Sequence, residues 1–203
     1  MLVLSDAVSD PSARDFWGAC FLRRTPNDVV PFAEFAAAFC AHFRLASLPP
    51  TDLSMQCLRA LMADEHGDVS LSQFGRHSRY FAPFGAESLQ KMRNTLSAGW
   101  FHGDISASDA EALLGRARKP GSYLIRYAEA HEAGHDERAP FLVLCIAGSA
   151  PVLIRVVADG FEWKDQKFPS LDELLMKNRR NFGLSIPCVG SKFDAIPFPD
   201  DEQ

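Results

Sequence analysis

Trp100-Phe101-His102-Gly103-Asp104-Ile105-Ser106, followed after a helical stretch by Pro120-Gly121-Ser122-Tyr123-Leu124-Ile125-Arg126, decides how the rest of the chain is read. From Tyr123 to Ala128 an extended chain alternates its faces, which puts Arg126 on the same face as Leu124 and Ala128. A guanidinium in so apolar a strand is costly to bury without a partner. Strand chemistry therefore leaves three outcomes: an internal carboxylate pairs with it, an incoming anion does, or the side chain snorkels to the surface. Around this strand, Ser106 caps a helix expected to reach about 118, and Pro120-Gly121 breaks it. Apolar strands are expected over 122–128, 141–147 and 152–157, and the short gaps between them make an antiparallel meander. Phe161-Glu162-Trp163 adds a short strand after the Asp159-Gly160 turn, 170–180 forms a second helix, and 187–193 closes the unit.

The first half of the chain is helical. Ser9-Asp10-Pro11-Ser12 is a helix-start signal, and Phe16, Trp17, Cys20 and Phe21 recur at helical spacing behind it. A second helix opens at Val30-Pro31-Phe32 and carries Phe35, Phe39 and Phe43 four apart; Asp52 caps a third over 53–62, and a fourth runs over 72–80. This repeated helix-loop-helix resembles a pair of EF-hands, with Val30 and Val69 at the positions of the short loop strands and Phe35 and Phe74 following each. Aligning Gly67 with the sixth-position glycine of such a loop runs it from Met62 to Gln73. Met62 cannot bind a hard cation and Gln73 offers no bidentate carboxylate, and the upper loop, 23–34, begins with arginines. The expectation is a structural scaffold with no metal. Phe81-Ala82-Pro83-Phe84-Gly85 and an amphipathic stretch over 86–98 bridge to Trp100, giving two expected domains, 1–98 and 99–203.

Composition narrows the partners. At 203 residues, 47% hydrophobic and a net charge of −5, the chain buries a full core and lacks the basic balance of a nucleic-acid groove or an anionic membrane surface. No signal pattern and no apolar run near a membrane span directs it out of the cytosol, so the expected location is cytoplasmic. Five cysteines without a CxxC pair read as reduced, mostly core, thiols. No nucleophile with a base, no phosphate loop and no paired carboxylates in a recognisable frame appear; the chain reads as a non-enzyme that needs no cofactor.

Trp100-Phe101-His102-Gly103, Ile105-Ser106, Ala110-Glu111, Leu113-Leu114 and Pro120-Gly121-Ser122-Tyr123-Leu124-Ile125-Arg126 together resemble the opening of a Src homology 2 domain. The resemblance implies an α+β fold, a central antiparallel sheet flanked by two helices. It also implies a phosphotyrosine-reading function in which Arg126 forks onto the phosphate. With the EF-hand-like unit and Tyr80-Phe81-Ala82-Pro83-Phe84 in front, the whole resembles the tyrosine-kinase-binding region of the Cbl family, without that family's helical bundle and RING.

The pocket departs from the family pattern. Ala107 stands where an early-helix arginine is usual, and Ala128 and Ala130 stand where hydroxyls are usual. Each lost charged hydrogen bond is worth about 1.5–3 kcal/mol, so substitutes are needed. The candidates are Arg138, His131 and His135 in the loop 129–139, and Arg155 on the third strand, against Glu132, Asp136 and Glu137, which oppose phosphate. The partner implied is a tyrosine-phosphorylated peptide, bound by a monomeric adaptor. The alternatives are a scaffold with a vestigial pocket, in which an acid such as Asp104 or Glu129 satisfies Arg126, and the regulatory part of a larger tyrosine kinase, ubiquitin ligase or STAT-like protein.

Overall fold

The computed structural model describes residues 4–21, 29–117, 119–129, 132, 140–157 and 159–198. By its internal contacts the chain divides into two compact units, residues 1–94 with 196–203, and residues 95–195.

In the first unit a short helix α1 (Leu4–Ala7) precedes α2 (Pro11–Phe21). Asp10 starts α2: its Oδ2 accepts from the Ala13 N–H at 2.8 Å and also from the Phe84 N–H at 3.1 Å, so one buried carboxylate caps the helix and pins the Ala82-Pro83-Phe84 bridge. Phe16, Trp17 and Phe21 are buried as their spacing predicts. Cys20 is exposed although it shares that arc, because burial also requires a neighbour over that turn; the other four thiols are buried. β1 (Val29–Pro31) leads into α3 (Phe32–His42), and α4 (Leu53–Met62), β2 (Asp68–Ser70) and α5 (Leu71–Ser78) follow. A single 3-10 turn, Arg79–Phe81, extends the expected fourth helix in a tighter form.

β1 and β2 pair antiparallel with Val30 opposite Val69, both fully buried, which links the two loops as the EF-hand outline implies. The lower loop closes on itself. Asp64 Oδ1 accepts from the N–H groups of His66 and Asp68, each at 2.9 Å, and these bonds, the Asp68 one foremost, hold its carboxyl below its ordinary value. Backbone amides thus hold one oxygen of this carboxylate and shape the loop around it. Phe16 centres the core, its ring 5.4 Å from Phe35, 6.0 Å from Phe39, 5.9 Å from Phe74 and 5.8 Å from Phe84. The helix α6 (Ala86–Ser97) follows in the chain.

The second unit is built on β3 (Phe101–Gly103), α7 (Ala107–Ala117), β4 (Tyr123–Tyr127), β5 (Phe141–Ile146), β6 (Val152–Val157), β7 (Gly160–Trp163), β8 (Gln166–Phe168) and α8 (Leu171–Phe182). The strands lie in chain order in one sheet. The expected meander of β4, β5 and β6 is antiparallel and continues through β7 and β8, but β3 joins β4 in parallel. The sheet is therefore larger and more mixed than periodicity indicates. Ala110 and Leu114 of α7 cover Leu124, Val143 and Cys145 on one face. Because Arg155 lies opposite Glu162 on that same face, Trp163 points to the other, where its ring meets Phe182 of α8 at 4.6 Å. The two helices thus flank a central sheet, the α+β arrangement expected. Ser170 caps α8 and Gly183, at φ 64, ends it in the left-handed turn. Residues 186–193 strap the sheet: Tyr123 N–H donates to Ile186, Cys188 N–H to Tyr123, and Phe193 stacks on Phe101 at 5.7 Å.

Candidate anion-binding site on the strand arginine

The register settles which way Arg126 points. It lies opposite Val143, one alternate residue from Leu124, and both neighbours belong to the cluster beneath α7. The guanidinium is therefore on the inner face, and at 1% exposure Arg126 is the largest fully buried side chain among the described residues. Such a charge is stable only when its N–H groups are answered.

The answer comes from the loop that follows β4. Arg126 Nη1 donates to Glu132 Oε2 at 2.8 Å and to the Tyr127 carbonyl at 2.9 Å, and Nη2 donates to Glu132 Oε1 at 2.5 Å. This is the fork-on-fork geometry that a guanidinium makes with a carboxylate or a phosphate. The Glu129 N–H donates to the same Oε2 at 2.8 Å, so the carboxylate rests in a cradle of one guanidinium and one backbone amide. A turn closed by Glu132 N–H to the Glu129 carbonyl at 3.0 Å brings the acid back over the strand end. Burial is the largest single influence and opposes the charge on Arg126, but the bond to Glu132, the charge of that carboxylate and the neighbouring Cys145 together outweigh it, and the guanidinium is held more firmly protonated than usual. The remaining Nε has no hydrogen-bond partner among the described residues. Burial pushes the Cys145 thiol up, against the opposing pull of the Arg126 charge.

A second anion position adjoins the first. Ser106 caps α7, accepting from the Asp109 N–H at 3.1 Å and donating to its carboxylate at 2.7 Å. The neighbouring Ala107 N–H donates to Glu129 Oε1 at 2.9 Å. Ala107 offers no side-chain donor, but its backbone N–H at the helix N-terminus does receive an anion. Two loop glutamates thus occupy the two donor sets of the site, Glu132 on Arg126 and Glu129 on α7.

Of the other expected residues, Arg155 lies on the same face as Arg126, two strands across and two residues along, about 12 Å away by strand spacings. Its guanidinium stands 3.9 Å from Glu162. Arg138, His131, His135 and Ala130 fall outside the described residues. Ala128 packs against the cluster under α7 and brings no hydroxyl to the site. An internal acid does meet Arg126, but it is Glu132 and not Asp104 or Glu129, the examples the sequence offered. Its reach depends on the return of the loop, and an acid six residues beyond a strand arginine is not a register neighbour. The one signal available was the acidity of that loop.

Across the sheet, Phe161, Glu162 and Trp163 are half-buried, with the Lys164 ammonium 4.6 Å over the Trp163 ring. The turn between β7 and β8 uses Lys164 and Asp165 at φ 49 and 62, the paired left-handed conformation of a tight hairpin. His102 is buried, its Nε2 bonded to the Cys188 carbonyl at 2.8 Å, which fixes the closing segment beside β3.

Known proteins show the same outline. The SH2 domain family model matches residues 100–135. The dual specificity protein kinase shkC of Dictyostelium discoideum is 28% identical over 87% of the chain, and shkA of the same organism is 27% identical over 70%. The chain spans only 37% and 28% of those two kinases. Over 34 residues it is 56% identical to phosphatidylinositol 3,4,5-trisphosphate 5-phosphatase 1 of Xenopus laevis. A solved inactive choanoflagellate E3 ubiquitin ligase Cbl TKB shares the fold, with a TM-score of 0.50, 20% identity, and coverage of 92% of this chain and 52% of its own.

Proposed function

From the premise that this chain is an EF-hand-like helical unit followed by a Src homology 2 domain, with the fold of the Cbl tyrosine-kinase-binding region, we propose that it recognises tyrosine-phosphorylated peptides in cytoplasmic signalling. The observation that carries the reading is the cradle itself. A buried Arg126 and the Glu129 N–H hold a planar dioxygen anion in fork geometry, and a phosphate presents the same oxygens with more charge. Arg126 is the phosphate anchor in this reading. Arg155, on the same face, and Arg138, His131 and His135, which the sequence puts between β4 and β5, are the further phosphate donors in this reading, and the helical unit, to about residue 98, precedes the module in the chain. The chain acts by binding as a monomeric adaptor, without catalysis, cofactor or metal.

A fluorescence titration with a degenerate phosphotyrosine peptide pool tests this. Wild type is expected to bind in the micromolar range, and Arg126→Ala to lose at least about a hundredfold, since bonds to a charged group are worth about 1.5–3 kcal/mol each and two Nη donors are removed. Equal binding of phosphorylated and unphosphorylated pools would leave only the fold.

Glu132 favours a second reading, a scaffold whose pocket is permanently self-satisfied, which predicts phosphate-independent partners. The small share of the two kinases that the chain spans supports a third, in which this region regulates a larger kinase.

A further inference from the structure

The pocket already holds a ligand, and that ligand is part of the chain. We infer that Glu132 is an internal competitor that sets the charge an incoming group needs to enter: it bars monoanions such as carboxylates and sulfate esters and yields to a phosphate dianion. The inference rests on the phosphotyrosine reading above and names what that reading leaves open, the specificity of the site.

Three observations carry it. Both Glu132 oxygens are spent on cradle donors, Oε1 on Arg126 Nη2 and Oε2 on Arg126 Nη1 together with the Glu129 N–H. No phosphate oxygen reaches those donors while the carboxylate is in place. Arg126 is 2% exposed at its side chain, whereas that of Glu132 is 17% exposed, so the buried partner stays and the loop acid is the one that leaves. The acid is tethered a few residues from the strand, and a short tether supplies an effective concentration of about millimolar or more.

A free carboxylate or sulfate ester brings one negative charge against an equal and tethered one, and gains nothing by exchange. A phosphate brings close to two charges, where a sulfate ester brings the same three terminal oxygens but only one charge. That surplus is what displaces Glu132. If the closed cradle is occupied nine-tenths to ninety-nine hundredths of the time, apparent phosphopeptide affinity is reduced about ten- to a hundredfold, because only the open fraction binds.

The test uses the full chain with the phosphotyrosine peptide pool, and with the same pool carrying sulfotyrosine. Glu132→Gln removes the charge. Glu132→Asp keeps it but is one methylene too short to span Arg126 and the Glu129 amide together. Both variants are expected to bind the phosphotyrosine pool about ten- to a hundredfold more tightly than wild type, and to acquire measurable sulfotyrosine binding that wild type lacks. Arg126→Ala abolishes both. If only Glu132→Gln gains affinity, the residue acts as a nearby charge and not as an occupant, and the inference falls. It falls alone if Arg126→Ala loses binding while both Glu132 variants match wild type or weaken. If wild type and both variants ignore the phosphotyrosine pool, the functional reading falls and takes the inference with it.

Discussion

At Arg126, burial and charge are reconciled by one acid, and the choice of acid decides what the residue does. The bidentate contact requires the planar fork; Arg126→Lys keeps the charge but not the geometry, so most of the Glu132 contact and of any phosphate contact goes with the substitution. Asp64 shows the same economy on the other unit, where a carboxylate is satisfied by backbone amides. Its folded pKa is depressed from 3.8, so its contribution to the loop is present above the unfolded value and lost as the pH falls through the folded one. In an NMR titration from about pH 6 to about pH 2, the amide protons of His66 and Asp68 are expected to share a midpoint below 3.8. A midpoint at or above that value would mean the bonds do not favour the ionised form. Asp64→Asn should erase the shared transition.

Among the elements, α2 is anchored by Phe16. Phe16 is fully buried and its ring meets those of α3, α5 and Phe84, so Phe16→Ala is expected to destabilise the helical unit by about 3–5 kcal/mol in urea unfolding. A loss below about 1 kcal/mol would show that the cluster collapses to fill the space. The break before β4 is as strict. Gly121 sits at φ 75, and a Cβ there would stand 2.1 Å from the Gly183 carbonyl oxygen, so Gly121→Ala forces apart two segments that Ser185 N–H otherwise ties to the Gly121 carbonyl at 2.8 Å. The strands β4, β5 and β6 were legible in the sequence because each is a long apolar run. β3 and β8 were not: each has three residues, β3 is buried on both faces and shows no alternation, and the Lys164-Asp165 turn lacks the asparagine-glycine signature of its type.

For the whole molecule, the question is whether the EF-hand outline still carries metal chemistry. Met62 and Gln73 stand at the loop ends and Asp64 is engaged by amides, so calcium or a chelator is expected to leave the thermal unfolding midpoint unchanged within about 1 °C, since only a ligand of the native state shifts it. A calcium-dependent rise would restore a cation site to the unit. The sequence by itself determined the main helices, the strands β4, β5 and β6, the α+β class and the face on which Arg126 lies, because periodicities of two and 3.6 residues are local properties of the chain. Only the tertiary structure decided that β3 runs parallel to β4, that Cys20 is left outside the core, and that Glu132 rather than Asp104 or Glu129 fills the cradle. Those outcomes depend on where a loop returns and what covers a given turn. Bidentate contact at 2.5–2.8 Å is a matter of three-dimensional reach, which spacing along the chain does not encode.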